Sequence, residues 1–267
     1  MAELTVIIVS YNARAHLGRC LGSLHTAPPA IEHEIVVVDN ASTDGAPDEA
    51  RRWPGVRVIE SGANLGFAAG VNIGLRATNG RLVLLLNPDT EATPGAVDAL
   101  VAALDADDGA AIAGPRIVDA RGVPELSHGA LPGLVSQART KWLMRRMAAG
   151  DHRALAHARA LTATACRTDW VTGAGLLVRR AEADAVGGLD EGYFLYFEDV
   201  DFCSAVRARG GRVLFTPTAL FLHDRGASGA GRPAAAKQAY RASQRRFYER
   251  HHPRLMPLMR LYLRVRS

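Results

Sequence analysis

Polar side chains able to do chemistry recur in this sequence immediately after apolar runs. Ser10-Tyr11-Asn12 follows the run from Leu4 to Val9, Asp39-Asn40 follows Glu34 to Val38, and Asn87-Pro88-Asp89 follows Arg81 to Leu86. Taken singly, each group suits a turn or a helix N-cap. Taken together, and with the runs as neighbouring parallel strands, they converge along one edge of a sheet, where open α/β folds bind their ligands. The stretch Asp39-Asn40-Ala41-Ser42-Thr43-Asp44-Gly45 is dense in acceptors that could hold a base edge or ribose hydroxyls, and equally in turn formers. Asp89, at the end of a leucine-rich run with Asn87 two residues before it, is a carboxylate at an apolar boundary and needs a counter-charge. A Mg²⁺ or Mn²⁺ ion bridging to a diphosphate would supply one.

A second acidic centre lies at Phe194-Leu195-Tyr196-Phe197-Glu198-Asp199-Val200-Asp201-Phe202. Aromatic surroundings raise carboxylate pKa values and can turn one carboxylate into a useful proton acceptor. Asp201 reads instead as an acid complementing a helix dipole. His223, after Leu220-Phe221-Leu222, reads equally as a buried hydrogen-bonded histidine or as a metal ligand. The segment Asn64-Leu65-Gly66-Phe67-Ala68-Ala69-Gly70-Val71-Asn72-Ile73-Gly74 spaces three glycines four apart on an expected helix, at about 1 kcal/mol each relative to alanine. A ligand or a tightly packed neighbour must require them. The spacing is not Gly-x-Gly-x-x-Gly, and no Gly-Lys-Ser or Gly-Lys-Thr occurs, which argues against dinucleotide and ATP-loop chemistry.

The elements that must position these groups are written as an α/β pattern. Strands are expected at Leu4 to Val9, Glu34 to Val38, Val56 to Glu60, Arg81 to Leu86 and Ala111 to Val118. Their nearly continuous apolar character belongs to a parallel sheet covered on both faces. Helices are expected at Ala13 to His25, Ala46 to Trp53, Gly66 to Thr78 and Glu91 to Leu104, the last with Thr93-Pro94 at its start. Residues 121–167, rich in Ala, Arg and His, read as a helical surface insertion without strands. Beyond them, Trp170 to Arg179 resumes the α/β signal, Ala181 to Val186 and Phe197 to Arg209 read as helices, and Arg212 to Phe215 and Ala219 to Leu222 as strands. Gly226 to Gly231 reads as a loop. Pro233 to Arg250 and Leu255 to Val265 read as basic helices.

Composition bounds the function. The 267 residues are 48% hydrophobic and 22% charged, as in a globular protein. No apolar run approaches the ~18 residues of a membrane span, and the N-terminus lacks a basic region and a cleavage site, so a cytoplasmic protein is expected. Cys20, Cys166 and Cys203 lack metal or redox spacing and read as buried, inert thiols. Net charge is +5. Residues 232–267 hold ten Lys or Arg against one acid, which leaves the preceding body at −4. A domain over 1–231 and a basic helical extension over 232–267 follow from that asymmetry. The acidic body and the lack of a recognition motif argue against nucleic acid as a partner.

These words, in this order, resemble the inverting family 2 glycosyltransferases of GT-A fold, and most closely the bacterial rhamnosyltransferases that use dTDP-L-rhamnose. The resemblance is carried by Thr5-Val-Ile-Ile-Val-Ser-Tyr-Asn12, Val38-Asp-Asn-Ala-Ser-Thr-Asp-Gly45, Asn64-Leu-Gly-Phe67, Leu86-Asn-Pro-Asp89, Gly188-Gly-Leu-Asp-Glu191 and Tyr196-Phe-Glu-Asp-Val-Asp201, and covers roughly Leu4 to Ser228. It implies that Ser10, Tyr11, Asn12 and Asp39 hold the nucleoside, with Asn40, Asp44, Asn64, Gly66, Phe67, Asn72, Asn87 and Glu198 also lining the donor site. Asp89 matches the last position of the family's Asp-x-Asp metal motif, whose first acid is here Asn87, and His223 matches a metal-binding histidine. Asp199 matches the catalytic base. No Gln-x-x-Arg-Trp follows, against a processive synthase. The implied partners are a nucleotide-sugar donor and a saccharide or lipid-linked saccharide acceptor, with a divalent cation as cofactor. Donors such as UDP-galactofuranose, UDP-GlcNAc or GDP-mannose, and a non-catalytic nucleotide-sugar-binding scaffold, are the rival readings. The segment from Arg254 to Arg266 mixes Arg with Leu, Met and Tyr. That suits an interfacial helix on the inner face of the plasma membrane, and suits equally well packing on the body or on another subunit of an oligomer.

Overall fold

The computed structural model describes residues 2–224 and 233–259. The first four strands form in short runs rich in β-branched and leucine residues: β1 Leu4–Ser10, β2 His33–Asp39, β3 Val56–Glu60 and β4 Leu82–Leu86. The helices between them are α1 Arg14–Thr26, α2 Ala46–Arg51 and α3 Phe67–Arg76. All neighbouring pairs in the order β3-β2-β1-β4 are parallel. Consecutive residues of β1 point to opposite cores. Leu4, Val6 and Ile8 join one apolar cluster with Leu17 and Leu21 of α1, while Ile7 and Val9 join the other with Val71 of α3. Burial on both faces explains why β1 and β4 show no apolar-polar alternation, whereas β3, at the sheet edge with no buried residue, reads Val-Arg-Val-Ile-Glu.

The chain continues through β5 Thr90–Ala92, α4 Ala96–Asp105, β6 Ala110–Val118, β7 His128–Gly129, α5 Leu134–Ala148, α6 His152–Leu161, β8 Cys166–Thr168, β9 Trp170–Val171, β10 Gly175–Arg179, α7 Arg180–Ala185, α8 Glu198–Ala208, β11 Arg212–His223 and α9 Pro233–His251. Among the described residues the main sheet has nine strands in the order β3-β2-β1-β4-β10-β6-β11-β5, with β8 added against β11, and β7 and β9 form a small second sheet. β10 enters antiparallel between β4 and β6. The sheet is therefore mixed, parallel from β3 to β4 and between β6 and β11.

Three segments depart from the sequence expectation. Residues 90–92 form a strand, not the start of a helix, because they pair with β11 and Thr93 Oγ1 donates to Leu220 O at 2.7 Å. The helix begins only at Ala96, after Gly95 takes φ 75°. Residues 121–167 are helical only in α5 and α6: His128–Gly129 pairs with Trp170–Val171 and Cys166–Thr168 with β11, strands too short for a period-two pattern to show. The two strands expected at 212–222 are one strand, interrupted by a register shift between Thr216 and Leu220 at Pro217, which has no N–H to give the ladder. In the basic extension, Phe247, Tyr248, Met256 and Met259 are buried against Tyr193, Phe197 and Val200 of the body. Packing on the body is thus the role of these four residues, while Leu258 is exposed. The Gly226 to Gly231 loop and the tail past Met259 lie outside the described residues.

Candidate active site

The carboxyl ends of β1, β2 and β4 form one edge of the sheet, and the first set of expected residues collects there. Ser10 closes β1 opposite Asp39, which closes β2. Asp39 Oδ2 accepts from Ser42 N at 2.8 Å, while its buried Oδ1 has no hydrogen-bond partner. Ser10 Oγ is buried and unpartnered as well. Buried polar atoms left unpaired are costly, so a site that retains two of them side by side is built to accept a ligand's donors. Tyr11 stands exposed beside them.

The rest of that loop is held from within. Asn12, in a left-handed conformation at φ 49°, accepts from Thr43 N through its Oδ1, and its own N donates to Ser42 Oγ. Asp44 caps two helices at once, accepting from Arg14 N and Ala46 N. Asn40 Nδ2 donates to Gly66 O, and Ser61 Oγ donates to Asn40 Oδ1. Asn64 Oδ1 accepts from Gly66 N. These side chains rigidify the rim through backbone contacts. Asn72 lies apart from the edge: its amide is fully committed to Leu189 N and O and to Glu191, so it clamps the turn at Gly188. Of the three spaced glycines, Gly70 and Gly74 are packing glycines, since a Cβ there would meet Val9 and Ile7 at 2.6 and 2.7 Å. Gly66, at φ 86°, lets Phe194 O approach and accept from Phe67 N at 2.9 Å.

Asp89, buried, meets His223 at the end of β11: Nε2 lies 3.1 Å from Asp89 Oδ1. The other ring nitrogen lies 3.2 Å from Glu125 Oε2, a carboxylate that no pattern singles out because it follows no strand-like run. Burial pulls the His223 pKa down, but its hydrogen bonds to Asp89 and Glu125 outweigh this and push it up to about 9. An imidazolium thus bridges two carboxylates at neutral pH. A buried carboxylate oxygen and an imidazole nitrogen at this spacing are donors that could hold a divalent cation in place of the shared proton. Among the described residues no cluster of three or more His, Cys, Asp or Glu could hold a metal unaided.

The second acidic centre reaches the same edge through β10. Asn87 N approaches Ala174 O at 3.5 Å, and the neighbouring Gly173 N donates to Asp199 Oδ2 at 2.9 Å. A Cβ on Gly173 would touch both Phe67 and Asp199. Asp199 keeps part of its surface open, and Val200 N donates to its Oδ1. Burial raises its pKa, and N–H donors from Gly173 and Val200 hold the rise in check. Glu198 is buried with Oε2 unpartnered, and burial and then the charge of Asp199 drive its pKa well up. Both stand at the start of α8 behind Tyr196 and Phe197, consecutive non-glycine residues at φ 70° and 69°. Such backbone costs on the order of 1–3 kcal/mol per residue and survives only where packing dictates it.

Here α9 supplies the packing. Phe197 sits 5.2 Å from the ring of Phe247. Asp201 accepts from His251 at 2.6 Å and from Tyr193 at 3.3 Å, and Asp190 takes Arg246 and Arg250 at 2.9 and 2.8 Å. Asp201 therefore ties α8 to α9 beyond any dipole role. The uneven charge of the chain has this structural counterpart, a basic helix seated on an acidic loop.

A model of the family described as glycosyl transferase family 2 matches residues 5–167. The chain belongs to that family. It is 33% identical over 263 residues to the N-acetylglucosaminyl-diphospho-decaprenol L-rhamnosyltransferase of Mycobacterium tuberculosis, covering 90% of this chain and 82% of the relative. Among solved structures, the mannosyltransferase of Pyrobaculum calidifontis in complex with GDP-Man and Mn²⁺ superposes with a TM-score of 0.65 at 18% identity, over 97% of this chain and 68% of that one. TarS of S. aureus, solved with UDP-GlcNAc, gives 0.59 at 19%, over 90% and 65%. The family 2 glycosyltransferase described here has the GT-A fold of these neighbours, a largely parallel sheet flanked by helices.

Proposed function

We propose that this glycosyltransferase moves L-rhamnose from dTDP-L-rhamnose to a hydroxyl of a saccharide or lipid-linked saccharide, non-processively and with inversion, on the cytoplasmic side of the membrane. The observation that carries the reading is the shared edge: a partly open Asp199 and the buried Asp89–His223 pair both reach it, beside unpaired acceptors on Ser10 and Asp39. The donor assignment rests on the named activity of the mycobacterial relative.

Ser10 and Asp39 bind the nucleoside, the loop from Tyr11 to Asp44 shapes its pocket, and Asn87 and Phe67 border the sugar. Asp89 and His223 hold the divalent cation, with Glu125 fixing the imidazole from behind. The cation, when bound, neutralises the diphosphate and eases its departure. Asp199 receives the proton of the acceptor hydroxyl as its oxygen attacks the anomeric carbon and the bond to the diphosphate breaks. One displacement inverts that centre. Burial drives the Glu198 pKa well up, which favours its protonated form beside Asp199.

A thermal-shift panel of nucleoside diphosphates and nucleotide sugars with Mn²⁺ or Mg²⁺ tests the donor, because a ligand bound only by the folded state raises the melting point. The largest shift is expected for dTDP and dTDP-L-rhamnose, and to be lost with EDTA. A larger shift from UDP-galactofuranose, UDP-GlcNAc or GDP-mannose would replace the donor, and no shift from any would remove the reading.

A further inference from the structure

The helices α5 and α6 stand out from the sheet, and one face of α5 is covered by nothing among the described residues. α5 meets its neighbours on two sides: Leu143 is buried, and Gln137 and Lys141 face α9 through Gln244 and the ring of Tyr240. The turn from 3.6-residue periodicity leaves Val135, Ala138, Arg139, Trp142, Arg145 and Arg146 on the remaining face. Val135 is 73% exposed and Trp142 58%, two turns apart on this one stripe. Arg146 lies over the Trp142 ring at 4.8 Å.

We propose that this face docks the enzyme onto an anionic phospholipid surface. Charge complementarity selects that occupant: α5 carries four Lys or Arg and no acid, and across residues 134–161 the one acid, Asp151, is paired with Arg146. Tryptophan and valine flanked by arginines is the arrangement that seats a helix at a headgroup boundary, with the rings and aliphatic side chains inserted and the guanidinium groups among phosphates. A nucleic-acid surface would use the arginines but gain nothing from an exposed valine. The surface is rigidly linked to the catalytic turn, because Leu131 and Leu134 at the start of α5 pack in the cluster that holds Tyr193 and Phe197. Docking would therefore hold the Phe197-Glu198-Asp199 turn close to the membrane, whichever sugar is transferred.

Co-sedimentation of the full chain with phosphatidylglycerol vesicles, against phosphatidylcholine vesicles and against duplex DNA, tests the assignment. Binding to the anionic vesicles that weakens with salt is expected. The Val135→Ser/Trp142→Ser double variant should lose roughly tenfold or more of it, about what withdrawal of one apolar side chain implies. Brominated acyl chains should quench the parent's tryptophan emission and leave a Trp142→Phe variant unquenched. Nucleotide-sugar binding should be equal in parent and variants, so a failure of docking is separable from a failure of the transferase reading. Undiminished vesicle binding in the double variant, equal binding to the neutral lipid, or binding to DNA alone would overturn the proposal.

Discussion

The two halves of the crevice are built by opposite means. The side proposed to bind the nucleotide, at the ends of β1 and β2, is held by hydrogen bonds between adjacent loops: Asn12 to Thr43, Asp44 to Arg14 and Ala46, Asn40 to Gly66. The side proposed to be catalytic, at the start of α8, carries two strained residues, a buried Glu198 and a partly open Asp199, and it is held by a helix that arrives some fifty residues later: Ser243 Oγ donates to Leu195 O, and His251 reaches Asp201. Preorganisation on one side is local and polar. On the other it is remote, aromatic and ionic. Substitutions should therefore separate donor binding from turnover according to the side they touch.

The sharpest separation is expected from Asp199→Asn. Loss of the proton acceptor should lower transfer by roughly two to four orders of magnitude, while calorimetry with the nucleotide sugar finds donor affinity nearly unchanged. Phe247→Ala tests whether α9 really holds the catalytic side. Emptying a fully buried aromatic site should cost about 3–5 kcal/mol in urea denaturation, with turnover falling more than donor affinity as Phe197 loses its support. On the other side, Asp39→Asn replaces a carboxylate that Ser42 N already orients, and should weaken donor binding by about 1–3 kcal/mol with little effect on turnover at saturation.

The smallest effect concerns pH. Glu198 has its folded-state pKa raised well above the ordinary 4.5, so the native chain keeps a proton that the unfolded chain has lost. The stability contributed by that proton is present in full below pH 4.5 and is lost as pH rises through the folded value. Glu198→Gln should flatten the decline in melting temperature over that window. An unchanged slope would mean that Glu198 titrates normally.

The contrast also sets what could be read from the sequence. Val56 to Glu60 matches its strand to the residue, and β1, β2, β4 and β6 lie within one residue of expectation, because β1 and β4, buried along their whole length, write a continuous apolar word. Ser10, Asp39, Asp89 and Asp199 were identifiable because each follows a strand or opens a helix. Glu125 was not, since only the return of β11 brings His223 to it across 98 residues. Asn72 looked like a ligand group because an amide beside glycines says nothing of its partner, Leu189, 117 residues away. The basic tail was legible as charge, but its destination was not, because Asp190 and Asp201 become its counter-ions only after folding.

The central claim, that Asp199 drives a single displacement at the anomeric carbon, is tested most directly by proton NMR of the first-formed product. The account predicts an anomeric configuration opposite to that of the donor. Retention of the donor configuration would contradict it.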